Sequence, residues 1–116
     1  MVIDDSPTMR QSMTLFLADQ PYTLICVADA LSALPPLFAN PPQLILCDVT
    51  MPGIDGFQWT RLLRQHAAFA QLPIILLSAR DGRVDRARAR LAGATDFLPK
   101  PFSADQLKAL LARHLP

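Results

Sequence analysis

The chain has 116 residues, of which 51% are apolar and 18% charged, and this length and composition predict one globular domain. Eleven basic against ten acidic residues leave a formal net charge of +1, which argues against broad binding to nucleic acid or to an anionic membrane. No basic leader with an apolar segment follows Met1, and no apolar run approaches the roughly 18 residues that span a bilayer. We therefore expect a cytoplasmic protein that binds neither membrane nor nucleic acid.

Five short apolar runs alternate with longer segments of helical periodicity, a pattern typical of βα units around a parallel sheet. We expect strands at residues 1–3, 24–27, 44–47, 74–77 and 95–98. The first run is shorter than the usual strand of about five residues, which suggests that a few residues are absent before it. Cys26 and Cys47 lie inside the second and third runs, so we expect two buried and reduced thiols.

Five helices are expected, and four of them have a recognisable start or stop signal. These signals are an N-cap at Ser6 followed by Pro7, the pair Asp55 and Gly56 before residues 57–67, Gly93 after residues 84–92, and a capping box of Ser103 and Gln106. Residues 30–39 are the exception, because Pro35 and Pro36 each disfavour helix at the preceding residue. We expect a short or late-starting second helix there.

Polar side chains follow four of the apolar runs, at the strand ends where ligands collect in an open parallel sheet. Asp4 and Asp5 follow the first run, Asp48 the third, Ser78 the fourth, and Lys100 comes shortly after the fifth. In a doubly wound five-stranded parallel sheet with the flavodoxin-like order 2-1-3-4-5, the first and third strands are neighbours. The three carboxylates would then converge.

Three converging carboxylates repel one another unless one keeps a proton or a cation lies among them. Mg²⁺ prefers oxygen ligands and is usually bound by one or two carboxylates together with a phosphoryl oxygen, and Mn²⁺ is the alternative ion. Three aspartates, one Mg²⁺ and Lys100 sum to a formal charge of zero. This sum predicts a pocket that can take up a phosphoryl anion.

The motifs at these strand ends resemble those of the receiver domains of bacterial two-component response regulators. They are Val2-Ile3-Asp4-Asp5-Ser6, the run DVTMPGIDG at 48–56, Leu77-Ser78-Ala79-Arg80, Gly93-Ala94, and the run FLPKPF at 97–102. The resemblance covers essentially the whole chain and implies one receiver domain, chemotaxis-like, over residues 1–116. Residues 78–93 also resemble the single-domain regulators of type IV pilus twitching motility.

The resemblance implies a role for each of these side chains. Asp48 would be the phosphoacceptor, and Asp48, Lys100 and Ser78 together would form the catalytic set. A metal ion would be held by Asp5, Asp48 and the Thr50 carbonyl, and by Asp4 mainly through a water. Ser78 and Phe97 would form a switch pair. The peptide bond before Pro101 would be cis.

The resemblance also implies the partners. A histidine kinase or a histidine phosphotransfer domain would phosphorylate Asp48, and the chain would hydrolyse its own aspartyl phosphate rather than turn over as an enzyme. The fourth helix, fifth strand and fifth helix would then bind a downstream protein, with the chain as a monomer or a phosphorylation-dependent dimer. The charges near the fourth helix have a local excess of +3 and mark either a solvated face or a docking surface for an acidic partner: Arg80, Arg83, Arg86, Arg88 and Arg90, opposed only by Asp81 and Asp85.

Three other functions compete with this reading. A haloacid-dehalogenase-type phosphatase needs Asp-x-Asp, and the sequence from Asp48 to Thr50 lacks the second acid. A flavodoxin-type cofactor binder needs a phosphate-cradling loop after the first strand, where Asp4 and Asp5 would repel phosphate. A receiver-like interaction module that is not phosphorylated, or a receiver excised from a larger regulator or hybrid kinase, stays open.

Overall fold

The computed structural model describes residues 1–80 and 82–116. Their strands are β1 (Val2–Ile3), β2 (Cys26–Val27), β3 (Ile45–Asp48), β4 (Ile74–Ser78) and β5 (Asp96–Pro99), all parallel and in the order β2-β1-β3-β4-β5. The helices are α1 (Pro7–Phe16), α2 (Ala30–Ala39), α3 (Gly56–Arg64), α4 (Gly82–Ala92) and α5 (Ala104–His114), with a 3₁₀ helix at Ala67–Phe69. This order confirms the flavodoxin-like α/β fold expected from the sequence.

The central strands are buried on both faces, so alternate residues enter two separate cores. In β4, Ile74 and Leu76 pack with buried residues of α2, α3 and α4, whereas Ile75 and Leu77 pack with those of α1 and α5. This double cover fixes the positions of the strands. As a result, β1, β3, β4 and β5 end at one edge of the sheet, where the polar side chains follow them.

The second helix is longer than the sequence predicts, because α2 continues through Pro35 and Pro36. The Asp29 carboxylate begins it by accepting a hydrogen bond from the Ser32 amide at 2.7 Å, and three buried residues hold its inner face. The prolines remove the amides that would bond to the carbonyls of Leu31 and Ser32. Both of those residues are exposed, so water can reach their carbonyls. The expectation of a short or late-starting helix is therefore wrong.

The other helix signals act as predicted. The Ser6 hydroxyl accepts from the Met9 amide, Ser103 and Gln106 exchange hydrogen bonds, and Gly93 has a φ of +96° directly after α4. No helix among residues 1–80 and 82–116 is long and apolar enough to cross a membrane.

The two cysteines are free thiols in different surroundings. Cys47 is buried in β3, and burial raises the pKa of its thiol. Cys26 is exposed, because β2 is an edge strand with a neighbour on one side. The expectation of two buried thiols is therefore correct for Cys47 and wrong for Cys26.

Candidate functional site

Three carboxylates meet where β1 and β3 end. Ile3 pairs with Cys47 across the sheet, so Asp4 and Asp5 lie beside Asp48. Each of the three offers an oxygen within 4.8 Å of the others. Asp4 is fully buried, Asp48 is buried with 7% of its surface exposed, and Asp5 is exposed to solvent. The structure therefore brings together the acidic cluster that the sequence predicts.

The Asp4 carboxylate accepts hydrogen bonds from Ser6 and Lys100, and the Asp4 backbone carbonyl accepts one from Arg10. The Ser6 amide donates to Asp4 Oδ1 at 2.9 Å, and Lys100 Nζ donates to Asp4 Oδ2 at 3.0 Å. The guanidinium of Arg10 donates to the Asp4 carbonyl at 2.7 Å. These contacts orient both oxygens of a buried charge and compensate its loss of water.

Lys100 connects Asp4 with Asp48. Its Nζ lies 3.4 Å from Asp48 Oδ1, and its peptide bond to Pro101 is cis, the isomer that the resemblance implies. Burial raises the pKa of Asp48 above the usual carboxyl value, while the charge of Lys100 lowers it and that of Asp4 raises it. The Asp48 carboxyl is therefore poorly hydrated, with the Lys100 ammonium as its neighbouring cation among the described residues.

The backbone after β3 closes tightly around Asp48. The Thr50 amide donates to Asp48 Oδ1 at 3.4 Å, and the Gly56 amide donates to the Val49 carbonyl at 2.8 Å. A Cβ at Gly56 would lie 2.6 Å from the Asp48 carbonyl oxygen. The first residue of α3 therefore has to be glycine for the helix to approach β3 this closely, a constraint that sequence reasoning did not identify.

The donor set fits a small divalent cation. Carboxylate oxygens are hard ligands of the kind that Mg²⁺ and Mn²⁺ prefer. Asp4, Asp5, Asp48 and Lys100 together have a formal charge of −2, which a divalent cation would neutralise. The exposed position of Asp5 gives the cluster access to solvent.

The Ser78 hydroxyl makes its hydrogen bonds to the first turn of α4 and to the backbone before it. Ser78 Oγ donates to Asp85 Oδ2 and accepts from the Arg80 amide at 3.0 Å. Arg80 Nε and Nη2 donate to the two oxygens of Asp85 at 3.2 and 3.3 Å. Sequence reasoning missed this arrangement; its one sequence signal is an acid in the first turn of α4.

The charges near α4 are distributed differently from the sequence expectation. Asp85 is buried and paired with Arg80, so it does not offset charge on the solvent face, and Asp81 lies outside the described residues. The basic side chains that are exposed along α4 are Arg83, Arg86, Arg88 and Arg90, and the apolar side chains of Val84 and Leu91 are exposed with them. Phe97 is buried beneath this helix, with the Arg86 guanidinium 5.2 Å from its ring centroid.

Comparison with known proteins identifies relatives among the bacterial response regulators. A family model described as the response regulator receiver domain matches residues 1–112. The chain is 36% identical to the protein PilG of Pseudomonas aeruginosa over 116 residues, which are 100% of the chain and 86% of PilG. It spans about half of the length of the other curated relatives, such as the response regulator Rre1 of Synechocystis sp., at 36% identity over 96% of the chain and 48% of Rre1.

Solved structures show the same similarity. The chemotaxis response regulator CheY4 of Vibrio cholerae superimposes with a TM-score of 0.90 and 30% identity, over 98% of this chain and 95% of that one. The signal receiver domain of a signal transduction histidine kinase from Syntrophus aciditrophicus superimposes with a TM-score of 0.89 and 31% identity, over 98% of this chain and 86% of that one.

Proposed function

The chain belongs to the family of response regulator receiver domains, and on this premise we propose that residues 1–116 act as a phosphorylation-dependent switch with Asp48 as the phosphoacceptor. The observation that carries the proposal is the position of Asp48, which lies beside Lys100 and two further carboxylates where the strands end. Receiver domains of response regulators interact with histidine kinases and with downstream targets. A kinase or phosphotransfer domain bearing a phosphohistidine is the donor we propose.

The proposed reaction is an in-line displacement at phosphorus. An oxygen of the ionised Asp48 carboxylate attacks, and a P–O bond to Asp48 forms as the P–N bond to the donor histidine breaks. With a small donor such as acetyl phosphate, a P–O bond breaks instead. In both cases the leaving group takes the electron pair, and the product is an aspartyl phosphate that water later hydrolyses.

Lys100 and the acidic cluster would position the phosphoryl group and balance its charge. Lys100 Nζ is already within 3.4 Å of an Asp48 oxygen, so it can contact a phosphoryl oxygen with little movement. Asp4, Asp5, Asp48 and the Thr50 carbonyl would hold Mg²⁺ or Mn²⁺. Bound there, the cation would neutralise charge on the transferring group. Asp4 is oriented for this role by the Ser6 amide.

The response would reach the surface formed by α4, β5 and α5. The new phosphoryl oxygens are acceptors for the Ser78 hydroxyl, and movement of Ser78 would open space for the ring of Phe97. Four arginines are exposed on α4, so we propose that the downstream partner offers an acidic surface there. A partner of that kind would lose affinity as salt is raised.

The test is intact mass after incubation with acetyl phosphate and Mg²⁺. One added phosphoryl group is expected on the wild type and on Asp105→Asn, which removes an exposed carboxylate from α5. No addition is expected on Asp48→Asn, or on the wild type with excess chelator. A folded wild type that gains nothing would contradict the proposal and favour an interaction module, and a gain on Asp48→Asn would place the acceptor elsewhere.

A further inference from the structure

The hydroxyl hydrogen of Ser78 is committed to α4 in the resting protein, where Ser78 Oγ donates to Asp85 Oδ2. A serine hydroxyl has one hydrogen, so a hydroxyl that donates to Asp85 has none to donate at Asp48. A hydrogen bond from Ser78 to a phosphoryl group would therefore form only after the bond to Asp85 breaks. The two acceptors compete for one donor.

The backbone at Ser78 is fixed, which leaves its side chain as the part that can be redirected. The Lys100 amide donates to the Ser78 carbonyl at 2.7 Å, and Ser78 pairs with Pro99 in the sheet. Asp48 pairs with Leu77, one residue before Ser78. Ser78 therefore lies one residue beyond the pairing partner of Asp48, and its buried side chain contacts Asp85 in the first turn of α4.

Asp85 keeps a counterion when Ser78 leaves it. The residue is only 3% exposed, and Arg80 donates to both of its carboxylate oxygens. A buried carboxylate without a partner is costly, whereas one paired with a guanidinium fork stays compensated. The Arg80 side chain is 51% exposed and reaches Asp85 from the solvent side, so this ion pair does not require the serine.

We infer that Asp85 is a positioning residue that holds the Ser78 hydroxyl away from Asp48 until phosphorylation, with Arg80 compensating Asp85 in both states. The inference rests on the proposed function of Asp48. A charged acceptor forms a stronger hydrogen bond than a neutral one, so the Asp85 carboxylate favours the resting orientation. A phosphoryl group has about two negative charges and competes successfully for the same hydrogen. Asp85 thus sets how strong the hydrogen bond from Ser78 to the phosphoryl group must be to replace the bond to Asp85.

The test measures binding of beryllium fluoride, a phosphoryl mimic, by calorimetric titration in the presence of Mg²⁺. Asp85→Asn keeps the shape but makes the acceptor neutral, so the apparent affinity should rise about fivefold as the competent fraction increases. Asp105→Asn is the matched control, because it removes a carboxylate from the first turn of α5, and it should leave the affinity unchanged. A folded Asp85→Asn without a gain would overturn the inference.

A background of Ser78→Ala separates positioning from a general structural role. Without the hydroxyl there is nothing to hold, so adding Asp85→Asn should produce no further gain in affinity. A gain that persists in this background would show that Asp85 acts by another route and would refute the inference.

Arg80→Ala supplies an independent test of opposite sign, which remains informative if Asp85→Asn does not fold. Without Arg80, Ser78 is the remaining hydrogen-bond partner of the buried Asp85 side chain among the described residues, so the resting contact is strengthened and beryllium fluoride should bind several-fold more weakly. Because Arg80 is half exposed, the variant should fold. Tighter binding by Arg80→Ala would contradict the inference.

A readout in the resting protein distinguishes failure of this inference from failure of the proposed function. If the wild type neither binds beryllium fluoride nor accepts a phosphoryl group, the proposed function of Asp48 fails. The contact itself is then tested by the ¹³Cβ resonance of Ser78, which Asp85→Asn should shift and Asp105→Asn should not. Absence of that shift would overturn the inference by itself.

Discussion

Replacing Lys100 by methionine would leave two buried carboxylates without their shared cation. Lys100 Nζ lies 3.0 Å from Asp4 Oδ2 and 3.4 Å from Asp48 Oδ1, and all three side chains are largely buried. At an effective dielectric constant of about 20, each of these pairs has an attraction of about 5 kcal/mol. Part of this attraction offsets the desolvation of the charges, so the loss on breaking such a cluster is about 3–5 kcal/mol.

Protonation of Asp48 limits this loss. Holding a carboxyl with a reference pKa of 3.8 in its protonated form at pH 7 costs about 4 kcal/mol, which is the most that the variant can lose through Asp48. We therefore expect Lys100→Met to lower the free energy of unfolding by about 3–4 kcal/mol at pH 7.

The pH dependence follows from the direction of the Asp48 pKa. Burial already raises this pKa, and loss of the Lys100 charge raises it further. A carboxyl whose folded-state pKa exceeds its unfolded value stabilises the fold below the unfolded pKa, and that contribution is lost as pH rises through the folded pKa. The deficit of Lys100→Met should therefore be largest at neutral pH and shrink as pH approaches 4.

The assay is urea unfolding at several pH values, with and without Mg²⁺. Mg²⁺ should recover more stability in Lys100→Met than in the wild type, because the pocket charge of the variant is −3 rather than −2. Lys108→Met is the control, since its partner Asp19 in the turn after α1 is exposed, and it should change stability little. A loss in Lys100→Met no greater than that of Lys108→Met would refute this electrostatic reasoning.

Three further variants, two at the site and one in the surrounding fold, are tested by urea unfolding. Gly56→Ala places a Cβ 2.6 Å from a backbone oxygen and should cost about 1–3 kcal/mol, whereas Gly82→Ala meets no atom within 4 Å and should cost nothing; equal effects would contradict the close approach. Burial raises the pKa of Asp48, so Asp48→Asn should stabilise the protein at pH 7 and lose that gain towards pH 4; a gain independent of pH would exclude this cause. Arg64 donates to three backbone carbonyls, so Arg64→Ala should cost about 2 kcal/mol while exposed Arg61→Ala costs little, and similar losses would show that those bonds contribute nothing.

The acidic cluster could be predicted because it depends on one topological rule. Once the apolar runs are taken as parallel strands in the order 2-1-3-4-5, whatever follows each run lies at the same edge. Asp4, Asp5 and Asp48 need no further information to converge. The helix caps at Ser6 and Ser103 were predictable for a similar reason, since a cap depends on residues within one turn.

The features that were not predicted depend on tertiary neighbours. Burial of one face keeps α2 helical through Pro35 and Pro36, against their local preference. Asp85 stands among arginines in the sequence, where an acid is usually a solvated surface charge. Its burial depends on how α4 packs beside the end of β4 at Ser78, and residue spacing alone does not specify that packing.

The charges at the strand ends explain why phosphorylation would redirect Ser78. Transfer to Asp48 replaces a single negative charge by about two, and these lie farther from β3 than the carboxylate does. Lys100 can contact them without leaving Asp4, since it already lies within 3.4 Å of both residues. Ser78 offers an additional hydrogen at this edge, and its present acceptor, Asp85, has one charge that Arg80 already neutralises. On this proposal the exchange of acceptors would follow the larger uncompensated charge, and the strength of the Arg80–Asp85 pair would determine how readily it reverses when the phosphoryl group is lost.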